Sequence, residues 1–260
     1  MSDDLFSRVA VVMLRPKSPG NVGSVARAMK NTGYARLILA DPMTYDDPEY
    51  FETEAGRMAW QAADVLNRRG TAPSLAAALA PFNWVLGTTA SPHDMARVLS
   101  PRQAAAEISA KLAEDSSASV ALLFGQEDIG LTRDDLALCH AVGSVPTASA
   151  YPSLNLAQAA LLFLYELRLA LLERGGPTAP TGLTSTSDVP GSLPAHGQLE
   201  AFYGRLEGAL DAIGFFQGTG RAHIMRDLRT IFNRALISPR ELAIFEGIIH
   251  QVVWAARRPR

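Results

Sequence analysis

The chain has 260 residues, enough for one large domain or two smaller ones, and its 48% hydrophobic and 19% charged residues fit an ordinary globular protein. Its 24 lysines and arginines against 26 aspartates and glutamates leave a net charge of −2, so bulk charge gives no argument for a nucleic-acid partner. The single cysteine, Cys139, excludes an internal disulfide framework and fits a reducing compartment. The start, Met1-Ser2-Asp3-Asp4, lacks a secretory signal, and the most apolar stretch, 154–172, is broken by Asn155, Gln158, Glu166 and Arg168. No membrane partner and a cytoplasmic location are therefore expected.

The first part alternates strand and helix. Arg8–Leu14 is a short apolar run that ends in a Pro/Gly loop over 15–20, and Val22–Thr32 has helical spacing that stops at Gly33, a C-cap residue. Ala35–Ala40 predicts a buried strand, Asp46–Leu66 a mainly helical stretch, and Pro73–Leu79 a short helix. Asn83–Gly87, Val120–Phe124 and Ala141–Val145 read as strands, with Pro101–Leu112 a helix and Thr132-Arg133-Asp134-Asp135 a capping box. A long helix is predicted over 154–172. Strands separated by helices predict an α/β domain with a mostly parallel sheet covered on both faces.

Residues 173–197 are dominated by Gly, Pro, Ser and Thr and read as a flexible linker. Beyond it the pattern is helical. Leu199, Phe202, Leu206, Leu210 and Ile213 share one face, and Ile224, Leu228, Ile231 and Phe232 another. Ser238-Pro239-Arg240-Glu241 opens a third helix. The expected organisation is a domain over 1–172, the linker, and a helical domain over 198–260. After Phe215, Arg221, Arg226, Arg229, Arg234, Arg240, Arg257, Arg258 and Arg260 face only Asp227, Glu241 and Glu246, so this end is basic in an otherwise acidic chain. Such an asymmetry points to an anionic partner; a solvated helix face is the other reading.

Three loops carry candidate chemistry. Gly20-Asn21-Val22-Gly23-Ser24-Val25-Ala26-Arg27 lies between a strand and a helix, where backbone amides meet anions. A dinucleotide-binding turn with Asp41 downstream is a rival, and a ligand-free turn another. Phe124-Gly125-Gln126-Glu127-Asp128-Ile129-Gly130-Leu131-Thr132 follows a strand at the end where open α/β sheets bind ligands, although Glu127 could be merely solvated. In Tyr151-Pro152-Ser153-Leu154-Asn155-Leu156-Ala157, Ser153 or Asn155 suits the cap of the long helix and would also present polar groups to a ligand. His93, His140, His196, His223 and His250 are scattered without metal-ligand spacing, so no metal is expected.

These segments, in this order, resemble the three signature motifs of the SPOUT superfamily of RNA methyltransferases, and within it the TrmH-like group and its TrmJ subfamily. The segments Phe202-Tyr203 to Gly214-Phe215 and Met225 to Phe232 are similar to that subfamily's C-terminal extension. The resemblance implies a parallel sheet with a C-terminal trefoil knot at about 120–172, against general topology rules, plus a small all-α C-terminal domain. It also implies a homodimer and S-adenosylmethionine-dependent 2′-O-methylation of tRNA ribose at nucleotide 32 of the anticodon loop. Carried over by motif, Asn21, Arg27, Glu127, Ser153 and Asn155 are the implied catalytic residues. Gly87, Thr88, Gly125, Gly130, Val145, Pro146 and Leu154 are the implied cofactor pocket. Relatives often carry an arginine just after the segment matching 87–90; here Ser91-Pro92-His93 follows and the next basic residue is Arg97. The competing readings are a dinucleotide-dependent oxidoreductase and a non-catalytic RNA-binding module.

Overall fold

A computed structural model of the protein describes residues 2–43, 48–92, 97–148, 153–175, 193–216 and 220–257. The strands β1 (Val9–Leu14), β2 (Arg36–Ala40), β3 (Gly70–Ala72), β4 (Trp84–Thr88), β5 (Val98–Leu99), β6 (Val120–Phe124) and β7 (Ala141–Gly143) form one sheet. Its order is β3-β2-β1-β6-β4-β7-β5, with every pairing parallel. A parallel sheet needs cover on both faces, and the central strands are accordingly apolar throughout. All six residues of β1 and all five of β6 are buried.

Successive side chains of β1 part to the two faces. Val9, Val11 and Met13 join a core with α2 (Pro19–Thr32), α3 (Pro48–Ala59), α6 (Pro101–Glu114) and α8 (Leu156–Gly175). Ala10, Val12 and Leu14 join a second core, packed with the five-residue helices α5 (Leu75–Leu79) and α7 (Arg133–Ala137). The C-terminal helices α9 (His196–Ala212), α10 (Arg221–Ala235) and α11 (Pro239–Ala256) have their own core around Leu199, Phe202, Tyr203, Met225, Leu242 and Ile249. They complete the cover of that thin face, α9 lying against α5 and α10 against α7. The buried Asn233 of α10 donates to the Ala137 carbonyl at 2.8 Å and accepts from the Tyr203 hydroxyl at 2.9 Å. His196 and Gly197 donate backbone hydrogen bonds to Phe82 and Ala80. Among the described residues no helix is long and apolar enough to cross a membrane.

Several boundaries differ from expectation, each for a local reason. α2 begins at Pro19, within the predicted loop, because Ser18 accepts from the Asn21 amide and Pro19 is preorganised for the first helical position. α8 begins at Leu156 because Asn155 is the cap: its Oδ1 accepts from the amides of Ala157 (2.9 Å) and Gln158 (3.4 Å). The stretch 46–66 is not continuous. α3 stops at Ala59, Trp60 has φ 52°, and a 3-10 turn leads into α4 (Ala63–Asn67). The short strands β3 and β5 and the N-terminal helix α1 (Ser2–Ser7) went unread, and β7 ends at Gly143 rather than Val145. At the predicted linker, α8 continues through Gly175 and α9 begins at His196; its part 176–192 lies outside the described residues.

Candidate active site

A cavity of about 330 Å³ opens at the carboxyl ends of β4, β6 and β7, beside the N-terminus of α8. That is where parallel sheets present loops to ligands, and its volume falls within the small-molecule range. Thr88, Gly125, Gly130, Val145, Ser153 and Leu154 line it, as does Glu127. Gly87 lies deeper, packed toward Cys139 and Leu136, and Pro146 is outside the lining. Sequence reading missed Thr89, Ala90 and Ser91, which continue directly from Thr88, and the inward α8 residues Leu156, Ala159 and Phe163. The last three carry a legible signal, since their spacing of three and four places them on one helix face.

The three loops converge through side-chain hydrogen bonds. Glu127 accepts from the backbone amides of Lys17 (2.9 Å) and Ser18 (3.0 Å), and from the Asn21 side-chain amide (3.0 Å). Asn155 in turn donates to Asn21 Oδ1 at 3.0 Å while capping α8. A continuous chain thus runs from the start of α8 to the loop before α2. Burial opposes the charge on Glu127, but the Asn21 amide and the two backbone amides outweigh it and hold the carboxyl below its ordinary range. The charged acceptor is therefore a tie between loops and not a solvated turn residue. Lys17 and Asp128 add an ion pair at 2.5 Å between the same loops.

Local backbone demands explain two glycines. A Cβ on Gly125 would lie 2.2 Å from the Gly130 carbonyl carbon, because the loop folds back and Gly130 donates to the Gln126 carbonyl. A Cβ on Gly23 would lie 2.0 Å from the Ala55 carbonyl oxygen, so this glycine lets α3 press against α2.

Arg27 is placed differently from the other motif residues. It is exposed on α2, about 9 Å beyond Asn21 along the axis. It does not line the cavity and makes no ion pair or side-chain hydrogen bond among the described residues. Ser153 is exposed at the cavity rim. Of the C-terminal arginines, Arg221 pairs with Asp211, Arg226 with Asp134 and Arg229 with Glu200. Arg234, Arg240 and Arg257 are exposed without an ion pair among the described residues, and Arg258 and Arg260 lie outside them. Arg97 pairs with Glu107 at 2.5 Å, and His93 is outside the described residues.

Chemically, the walls formed by Phe124, Val145, Leu154, Leu156 and Phe163 suit a flat apolar ring system, and Thr88, Ser91 and Gln126 add polar groups to the lining. Among the described residues no group of three His, Cys, Asp or Glu could hold a metal ion.

Residues 8–165 match the SpoU rRNA Methylase family, and residues 197–260 match the TrmJ C-terminal domain of tRNA methyltransferases. The chain belongs to the SpoU methylase family, in its TrmJ branch. It is 34% identical over 255 residues to the tRNA (cytidine/uridine/adenosine-2′-O-)-methyltransferase TrmJ of Pseudomonas aeruginosa, covering 97% of this chain and 96% of that one. It is 36% identical to the tRNA (cytidine/uridine-2′-O-)-methyltransferase TrmJ of Pectobacterium atrosepticum, covering 95% and 98%. The crystal structure of TrmJ from Z. mobilis aligns with a TM-score of 0.75 at 31% identity, covering 94% of this chain and 98% of that one.

Proposed function

We propose that the protein methylates a ribose 2′-hydroxyl of tRNA, with S-adenosylmethionine as donor and nucleotide 32 of the anticodon loop as target. The observation that carries this reading is the Glu127–Asn21–Asn155 chain, which draws the three motif loops to the mouth of one cavity. The cavity fits the donor in kind: apolar walls for the adenine, and Thr88, Ser91 and Gln126 for its polar groups. When bound, S-adenosylmethionine supplies an activated methyl carbon to which the ribose oxygen bonds as the carbon–sulfur bond breaks.

In this reading Gly125, Gly130, Val145 and Leu154 hold the adenosyl group, while Gly87 and Pro146 support that pocket from behind. Asn21 and Ser153 position the ribose. Glu127 positions Asn21 and the 17–18 amides. Arg27, permanently cationic, holds the target phosphate and stabilises charge developing on the ribose oxygen, whose proton passes to phosphate or water. Since Arg27 stands outside the cavity of its own chain, we assign it to the site of a second copy. Support for a homodimer comes from α8, whose Leu161, Leu162, Tyr165 and Leu172 are exposed, an apolar face that a second copy would cover.

The trefoil knot over about 120–172 belongs to the same reading and rests on the family resemblance. Functionally, we divide the chain into a catalytic domain (1–172), a linker (173–197) and an RNA-binding domain (198–260). Among the described residues there, Arg234, Arg240 and Arg257 are cations without an ion pair and would meet phosphates.

The test is methyl transfer from S-adenosylmethionine to unmodified tRNA, with the product mapped by mass spectrometry. A 2′-O-methyl group at nucleotide 32 is expected. Absence of transfer, or binding of NAD(H) in place of S-adenosylmethionine, would refute the proposal. Arg27→Ala should abolish transfer while leaving S-adenosylmethionine affinity within a few-fold.

A further inference from the structure

The Trp60 side chain makes no hydrogen bond or ring contact among the described residues. The residue is 69% exposed, yet its backbone is held at φ 52°, a conformation that bulky L-residues rarely adopt. The strain comes from its neighbours. Ala59 and Ala62 are both buried, and the chain must turn sharply between them to keep each packed. Glycine would make that turn without strain. A tryptophan there accepts the strain and directs a large ring into solvent.

Its location bears on the site. The Ala59 amide approaches Gly23 of α2, and Asp64 bonds Lys30 one element later, so the 60–62 turn lies along the stretch of α2 that carries Arg27. This stretch carries Arg27, Lys30, Arg57 and Arg68 against Glu54 and Asp64; Lys30 and Arg68 pair with Asp64 and Arg57 with Glu54, while Arg27 has no ion pair among the described residues. An exposed aromatic ring on a net cationic ridge is the combination that binds single-stranded nucleic acid, one stacking on a base while the cations meet phosphates.

We propose that Trp60 is a stacking platform for an unpaired base of the RNA substrate, next to the phosphate held by Arg27. This rests on the reading of the protein as an RNA methyltransferase and adds to it a contact that selects an unstacked, single-stranded target. The partner is thus a nucleobase and not a protein surface.

The test uses the full-length protein carrying Trp254→Phe, which leaves Trp60 as the exposed reporter beside the buried Trp84. Adding a short single-stranded oligoadenylate or unmodified tRNA should quench the Trp60 emission. Trp60→Ala should weaken tRNA binding roughly tenfold, with Trp60→Phe recovering most of it. The salt dependence should not change, because no charge is removed. Trp60→Gly should weaken binding equally while raising Tm by about 2–4 °C, since strain is released. Unchanged affinity in Trp60→Ala and Trp60→Gly would overturn the proposal. So would a fall in Tm for Trp60→Gly, which makes the residue structural, or dissociation of a dimer by Trp60→Ala, which makes the ring's partner a second copy. If the unaltered protein transfers no methyl group to tRNA, the underlying reading fails; if it does and Trp60 is indifferent, only the platform fails.

Discussion

Glu127→Gln keeps the side chain's length and removes its charge, and the geometry sets the size of the effect. Three donors converge on the carboxylate, from Lys17, Ser18 and Asn21. A glutamine can keep its oxygen on Ser18 and Asn21, but its NH₂ group then confronts the Lys17 amide. One charge-assisted hydrogen bond is lost and two donors oppose each other. Such a change costs up to about 3 kcal/mol when buried; here water reaches the site, so about 1–2 kcal/mol is the working figure. For a chain of this size that lowers Tm by about 2–8 °C. Scanning calorimetry at neutral pH measures it directly. The sign with pH is also determined. A carboxyl whose folded pKa is depressed stabilises the fold above its unfolded value, about 4.3, and loses that contribution as pH falls through the folded value. The difference between the variant and the parent protein should therefore shrink in acid. A double-mutant cycle with Asn21→Ala should return a coupling of at least 0.5 kcal/mol. A Tm shift under about 1 °C at neutral pH, with additive single effects, would mean the carboxylate is solvated and ties nothing.

Gly125→Ala should reduce S-adenosylmethionine affinity at least about tenfold by titration calorimetry, because the new methyl meets backbone that cannot move aside without opening the 126–130 loop. His140 is buried against Trp84 and accepts a hydrogen bond from the Val85 amide; burial pushes its pKa down to about 3. The folded state thus excludes a proton that the unfolded chain takes up below about 6.5, so stability should fall from there toward pH 3. His140→Asn, which keeps an acceptor near Nδ1, should flatten that slope in urea titrations. Substituting Arg234, Arg240 and Arg257 together by glutamine should reduce the slope of log affinity for tRNA against log salt by about 2–3, whereas Arg226→Gln, already paired with Asp134, should leave it nearly unchanged.

Much of this protein is decided locally and was legible as such. Strand positions follow from short apolar runs and helix positions from period-3.6 patterning, and Gly33, Thr132 and Ser238 mark helix ends because capping is a contact within one turn. Even the start of α2 was written locally, in Ser18 and Pro19, though the glycine beside them read as loop. The short edge strands β3 and β5 carry no such periodic signal, since two or three residues cannot display a pattern and their pairing depends on neighbours distant in the chain.

The sequence alone determined which residue types stand in each motif loop, and the family resemblance that this order carries. Only the tertiary structure decided what they do to one another. Nothing in the spacing of Glu127 and Asn21 says that one carboxylate takes three donors, because the contact spans more than a hundred residues of chain. Nor could composition say which C-terminal arginines are neutralised by Asp134, Asp211 and Glu200 and which stay free. Patterning is a property of neighbouring residues, whereas pairing is set by how the sheet brings distant ends together.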